Sequence, residues 1–521
     1  MSEPERQPNV LFVITDQQRA DHVGFAGNSV VQTPNLDGLA ARSMVFDRAY
    51  VANPVCSPNR SSIITGRMPS SHGVIFNDRA LEWGSSTFVR PLREAGYRTG
   101  LIGKSHLQLS VDRHITSTSG RDARRDGYDE EVYRWEFTER FDGSQVPPVP
   151  EDYYGFDHVE FATDHGARMA GHHLLWALDK GASREEVVPP MSAEAPGDRR
   201  SERWWQIYRP PYPAELHSTA FVGERTVAFI DDAHAENKPW MAWMAFPDPH
   251  HPLTPPGEWF DRHNPSDMSV PSTFGDPLEH APPHLQVIRA RRDTPFWPMP
   301  FGTDDPVLVQ EALAATYGMI EFIDHEVGRV LDHLDALGIT DDTIVIFTSD
   351  HGDVMGEHSL MVKGSIHYQS ILRVPLTIAG PGIEPGRSAA LASSLDIAPT
   401  LLDRCALKGY RGIQGCSLSG LLEGEQTTVR DHLLVEDDLP PLVADLIGMP
   451  AKMRTLVTDD ARFTRDSNGF EELFDLDADP DETENRATVD PVRRNELATT
   501  LVDAMMAADD TGAGVARDRA G

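Results

Sequence analysis

Two apolar runs, far apart in the chain, each end in a carboxylate. Asn9-Val-Leu-Phe-Val-Ile-Thr15 is continuous and rich in branched residues, as a strand buried on both faces is, and it leads into Asp16-Gln17-Gln18. The run 342–348 has the same character and leads into Ser349-Asp350-His351-Gly352-Asp353. In open parallel α/β sheets, ligands collect beyond the carboxyl ends of the strands. Two such strands can therefore bring two carboxylates to one sheet edge. Asp16, Gln17, Asp350 and His351 offer mainly hard oxygen donors plus one imidazole, a set that suits Ca²⁺, Mg²⁺ or Mn²⁺ better than Zn²⁺. Taken alone, Asp16 also fits a plain loop carboxylate that caps the next turn.

Between these runs lies Pro54-Val55-Cys56-Ser57-Pro58-Asn59-Arg60, running on to Thr65-Gly66-Arg67. Pro54 and Pro58 stiffen a loop on both sides of the cysteine. The segment 61–64 begins a helix whose amide-rich end favours an anion near Cys56. The pattern Cys-x-Pro-x-Arg-x4-Thr-Gly resembles the signature of type I sulfatases and their phosphonate monoester hydrolase relatives, which share an alkaline phosphatase-like fold. Cys56, Pro58 and Arg60 hold its fixed positions, and Asn59 stands where that family usually has a small residue. The resemblance implies that a formylglycine-generating enzyme oxidises Cys56 to Cα-formylglycine, whose hydrated aldehyde is the nucleophile.

Further elements match the same family in order. Gly103-Lys104-Ser105-His106 follows the apolar run 97–102 and resembles a Gly-Lys-x-His element. Without the cysteine upstream it would read as a surface lysine and a partly buried histidine. Pro247-Asp-Pro-His250-His251-Pro252 resembles a Pro-His-x-Pro element at His250, with His251 as a neighbour facing elsewhere. Ser-Asp-His-Gly-x-x-x-Gly-x-His runs through His358, and Lys363-Gly364 fits a sulfate-contacting lysine.

The resemblance implies roles for these residues. One divalent ion (Ca²⁺ or Mn²⁺, with Mg²⁺ as a further candidate) sits among Asp16, Gln17, residue 56, Asp350 and His351. Lys104 and Arg60 hold the hydrated aldehyde, and Lys363 grips the non-bridging oxygens. His250 protonates the departing alcohol, and His106 takes a proton from the second hydroxyl as the hemiacetal collapses. Many sulfatases have Asp where Gln17 stands and Asn where His351 stands. Those two choices resemble the phosphonate monoester hydrolase branch and favour Mn²⁺. Ser57 points back, since that branch usually has glycine after the cysteine. The expected activity is hydrolysis of sulfate esters, with phosphonate monoesters or phosphodiesters as the alternative. A catalytically silent binding protein with an unmodified Cys56 is a third reading, and a serine nucleophile is disfavoured because Cys56 holds its place.

The scaffold these groups need is an α/β domain with a large, mostly parallel sheet flanked by helices, followed by a small α+β subdomain. We place the catalytic domain at 1–424 and the small subdomain at 425–521, the latter ending in a frayed tail at 509–521. Residues 108–215 lack sustained periodicity, and 253–306 are proline-rich and irregular; both read as substrate-shaping excursions. Helical spacing covers 215–232, where the pair His172-His173 upstream is not a metal site because neighbours on one element point apart. A long amphipathic helix covers 306–337, with Ile320, Ile323, Val327, Val330, Leu331 and Leu334 on one stripe and Gly338 ending it.

With 47 basic and 81 acidic side chains the formal charge is −34. That excludes nucleic acid and anionic membranes as main partners, but not a small anionic ester, because a local cationic pocket overrides the far field. The three cysteines, Cys56, Cys405 and Cys416, do not make a disulfide framework, and a reducing compartment is favoured. The chain begins with a polar segment and has no apolar run of spanning length, so the expected location is cytoplasmic. A homo-oligomer is compatible with all of this.

Overall fold

A computed structural model describes residues 7–109, 129–141, 149–190, 201–290 and 300–508, with Arg124, Ser192, Glu194 and Gly197. The expected tail at 509–521 and parts of the excursions at 108–215 and 253–306 lie outside the described residues. At the centre is a nine-stranded sheet. Its strands are β1 (Asn9–Thr15), β2 (Met44–Phe46), β3 (Arg98–Gly103), β4 (His158–His165), β5 (Arg168–Gly171), β6 (Trp240–Ala245), β7 (Thr343–Ser349), β8 (Leu376–Ala379) and β9 (Gly386–Ser388). Their spatial order is β9-β2-β8-β7-β1-β6-β3-β4-β5. The five neighbours β7-β1-β6-β3-β4 are mutually parallel, while β8 and β5 run against their neighbours.

Parallel strands need crossovers, and the crossovers cover both faces of the sheet. Four helices matter for the argument: α1 (Cys56–Thr65), α2 (Ser218–Ala235), α3 (Pro306–Leu337) and α4 (Pro491–Ala508). Every residue of β1 is buried, and successive side chains go to opposite layers. Leu11 and Val13 meet Phe221, Phe229, Ile323 and Val327 of α2 and α3. Val10, Phe12 and Ile14 join the layer that holds Ile63, Ile64 and Trp243. The long helix α3 has the bounds its periodicity gives; Asp305 caps its start and Gly338, at φ 68°, ends it.

A second, antiparallel sheet of four strands follows: β10 (His432–Asp438), β11 (Lys452–Thr458), β12 (Ala461–Asp466) and β13 (Glu471–Asp475). Helix α4 covers it through Leu497 and Leu501 against Leu456, Phe463 and Leu473. The small sheet is tied to the catalytic layer just before the cysteine, where Glu436 N donates to Ala52 O at 3.0 Å and Asn53 Nδ2 to Glu436 O at 2.6 Å. Among the described residues no helix is long and apolar enough to cross a membrane.

Two local features differ from the sequence expectation. The excursion at 108–215 contributes β4 and β5 to the central sheet. β4 reads His-Val-Glu-Phe-Ala-Thr-Asp-His; His158, Glu160, Asp164 and His165 remain partly exposed, so it never forms a continuous apolar run. Helix α1 begins at Cys56 itself and not after it, and Asn59 N already donates to Val55 O at 3.0 Å. Pro58 is tolerated in that first turn, because an N–H there has no intrahelical acceptor to lose.

Candidate active site

The carboxyl ends of the five parallel neighbours each deliver a polar group to one edge. β1 leads to Asp16 and Gln17, and β7 to Asp350 and His351. β3 leads to Lys104 and His106, β6 to His250 and His251, and β4 ends on His165. The hydrogen-bond ladder extends past the strands: Asp350 N donates to Thr15 O at 3.1 Å, Asp16 N to Asp248 O at 3.1 Å, and Lys104 N to Ala245 O at 2.9 Å. Gly103 is required where β3 turns, since its φ is 108° and a Cβ there would lie 1.8 Å from Ala245 O.

One pole of the edge is a cluster of ligand-type atoms. Atoms of Asp16, Cys56, Asp350 and His351 all lie within 4.8 Å of one another, and all four residues are buried. Cys56 Sγ is 3.1 Å from His351 Nε2 and 3.5 Å from Asp16 Oδ1. His351 Nδ1 donates to Gly352 O at 2.8 Å, so its Nε2 turns a lone pair to the cluster, as a metal-binding imidazole must. The two carboxylates behave oppositely. Burial opposes ionisation of Asp16, yet Lys104 and His250 hold its carboxyl well below the usual range. Burial and the Asp16 charge raise Asp350, and Arg60 offsets this only in part. Two buried carboxylates in mutual repulsion, joined by an amide oxygen and an oriented imidazole, fit a hard divalent cation.

The other groups close around Cys56. Lys363 Nζ lies 2.9 Å from Cys56 Sγ, 3.1 Å from Gln17 Oε1 and 2.8 Å from His351 Nε2. Lys104 pairs with Asp16 and donates to His165 Nε2 at 2.6 Å. His106 faces the cysteine sulfur, at φ 56°, and its loop is braced by Glu136, which accepts from the amides of residues 106 to 108. Burial, reinforced by Lys104, lowers the His106 pKa to about 4. Burial and the Asp16 charge oppose ionisation of the Cys56 thiol, but the ammonium groups of Lys363 and Lys104 lead the opposing effects, and the thiol is held well below a free thiol's value.

Arg60 is fully buried and braces the site from behind: its Nε donates to Asp350 Oδ2 at 2.7 Å and its Nη1 to Lys104 O at 2.8 Å. Asn59 has a comparable task. Its Nδ2 donates to Asp350 O at 2.6 Å, while its Oδ1 accepts from Ala52 N at 3.1 Å and Ser394 Oγ at 2.7 Å. The residue that departs from the family pattern thus ties the carboxylate strand to the cysteine loop.

Two histidines change the sequence reading. His251 does not face elsewhere: its ring stacks on His250 with centroids 4.0 Å apart, and its Nδ1 is 3.4 Å from Gln17 Nε2. Residues 246–254 form no strand or helix, so the alternation that would separate neighbours does not apply. His165, unassigned from sequence, stacks on the other face of this pair at 3.9 Å from His250 and lies 3.6 Å from Asp16 Oδ2. His172 and His173 do point apart, one to Phe161 N and one to Leu216 O. His358, the last residue of the Asp350 motif, pairs with Asp276 and stacks on Tyr368. The three cysteines are unbridged thiols.

Comparison with known proteins agrees with this geometry. The family model described as Sulfatase matches residues 8–406, which spans every group named above. The chain belongs to the sulfatase family. The reaction class that goes with it is hydrolysis of sulfuric esters. A second model, described as N-sulphoglucosamine sulphohydrolase, C-terminal, matches 356–510. An arylsulfatase of Clostridium perfringens is 28% identical, over 92% of this chain and 90% of its own length. A choline-sulfatase of Rhizobium meliloti is also 28% identical, over 92% of this chain and 82% of its own. A phosphonate monoester hydrolase from Silicibacter pomeroyi has the same fold, with a TM-score of 0.78 at 23% identity over 97% of this chain and 96% of that one.

Proposed function

We propose that this sulfatase-family enzyme cleaves small-molecule sulfate monoesters with a formylglycine made from Cys56 and one divalent ion, Mn²⁺ or Ca²⁺. The observation that carries the reading is the position of Cys56, whose sulfur is met by Lys363, His351 and Asp16 at one strand edge. A sulfate ester resists attack because an anion repels an anionic nucleophile and the leaving oxygen departs with charge. A divalent ion held by Asp16, Gln17, Asp350 and His351 would supply positive charge beside the ester and acidify a hydroxyl on residue 56. A hydrated aldehyde at 56 has two hydroxyls, one to attack and one to release the product.

The side chains divide the remaining work. Lys363 and Lys104 bring two cations to the non-bridging oxygens. His106 faces residue 56 and, being neutral, takes a proton from it. His250 has its Nδ1 engaged by the His251 carbonyl at 2.5 Å; burial, with His165 and Lys363, holds its pKa well below an ordinary histidine's, so Nε2 protonates a departing alkoxide only from the imidazolium form, which a bound anionic ester favours. Intact mass spectrometry tests the nucleophile: the mature chain should be about 18 Da lighter than its translated sequence. Protein of that mass should hydrolyse 4-nitrophenyl sulfate. A mature, active enzyme with an unaltered thiol would overturn the proposal.

Gln17 and His351 favour one second reading, in which the same site cleaves phosphonate monoesters. A higher kcat/KM on a phenylphosphonate monoester than on the aryl sulfate would select it.

A further inference from the structure

Behind the ligand cluster, Gln17 meets a second carboxylate. Gln17 Nε2 donates to Asp353 Oδ2 at 2.5 Å, while its Oε1 faces inward and accepts from Lys363 Nζ at 3.1 Å. Gln17 holds a left-handed backbone at φ 66°, and its own N–H donates to Asp350 Oδ1 at 3.1 Å. Asp353 is 2% exposed, and its other oxygen accepts from Met355 N at 2.9 Å. A primary amide has one end that accepts and one that donates, and only the oxygen can ligate a hard cation. The end that turns inward is set by what the outer end meets, and here that is a carboxylate with nothing to donate.

We propose that Asp353 is a positioning residue that orients the Gln17 amide, so that a neutral residue presents an oxygen to the cation. The inference rests on the divalent-ion reading above. It also accounts for the amide at position 17. A carboxylate there would stand against that of Asp353, two like charges in a buried site, which is unfavourable for both. The acid at 353 and the amide at 17 therefore form one unit, with the negative charge kept one residue behind the ligand.

The test measures Mn²⁺ binding calorimetrically on chelator-stripped protein, independently of turnover. In Asp353→Asn the asparagine can turn its own NH₂ toward Gln17, which drives the Gln17 amide to flip and point nitrogen at the ion. Affinity should fall about 10- to 100-fold, the usual cost of losing such a supporting contact. The double variant D353N/Q17E should regain wild-type affinity or better, because a carboxylate offers oxygen whichever way it turns. If Asp353 served only the Met355 turn, the second substitution would rescue nothing. Unchanged affinity in D353N, or a double variant as weak as D353N, overturns the proposal while the ion reading stands. A wild-type protein that takes up no Mn²⁺ or Ca²⁺ overturns the ion reading and this proposal with it.

Discussion

Lys363 Nζ lies 2.9 Å from Cys56 Sγ, although it comes from a loop and the cysteine from the first turn of a helix. The same ammonium reaches Gln17 and His351, so it links the nucleophile position to the ligand cluster. On the proposed reading, removing it takes a preorganised cation from where charge would develop. Lys363→Ala should lower kcat/KM about a hundred- to a thousand-fold, by comparison with the loss of one oxyanion-stabilising donor. Steady-state kinetics on 4-nitrophenyl sulfate checks it, and a variant within a few-fold of wild type would exclude Lys363 from the anion grip.

Arg60 and Asp350 are both fully buried and paired at 2.7 Å. Breaking such a pair from one side strands a charge in the interior and costs about 3–5 kcal/mol. Arg60→Ala should therefore show a large drop in urea midpoint as well as lost activity. A variant with wild-type stability would mean that Asp350 finds another partner.

His165 is a test of how far the site extends beyond its motifs. It accepts from Lys104 and stacks on His250. His165→Ala should lower kcat with little change in melting temperature, because the ring stands at the open end of β4. The melting curve and the two kinetic constants separate this from a folding defect.

The Glu160–Arg225 pair fixes β4 against α2, with bonds of 2.7 and 3.0 Å. Burial opposes ionisation of Glu160, but its bonds to His158 and Arg225 win and lower its pKa to about 2 from 4.5. A depressed folded-state pKa means that this stabilisation is complete above pH 4.5 and is lost as the pH falls toward 2. Glu160→Gln should cost about 1.5–3 kcal/mol at neutral pH, the usual range for hydrogen bonds to a charged group. The difference from wild type, followed by chemical denaturation, should narrow through that acid window.

On the divalent-ion reading, removing the ion would leave only Lys104 and Arg60 to offset the repulsion between Asp16 and Asp350. Treatment with a chelator should abolish activity and lower the melting temperature, and Mn²⁺ or Ca²⁺ should restore both. A melting temperature indifferent to chelation and to both ions would count against a cation at this cluster.

What could be read from residues alone follows from local physics. Asp16 and Asp350 were legible because the strands before them are buried on both faces and so appear as unbroken apolar runs. Helix α3 was legible to its last residue because one stripe, one cap and one glycine agree. β4 was not, because its polar residues interrupt the pattern, and His165 was hidden with it. The start of α1 was misplaced because prolines suggested a loop, whereas a first turn accommodates them. Nothing local marks the Gln17–Asp353 contact either, since it joins two loops that only the sheet brings together.

The five strands that meet at this edge have a consequence for how such an enzyme can diversify. The groups at the ends of β1, β3, β4, β6 and β7 are each anchored by a strand, while Cys56 and Arg60 come from helix α1 and Lys363 from a loop, so the strand ladder and not the length of the connections sets most of the spacing. A connection can then vary without shifting the register of the groups at the strand ends, provided that residues such as Glu136, which holds the amides of residues 106 to 108, are kept.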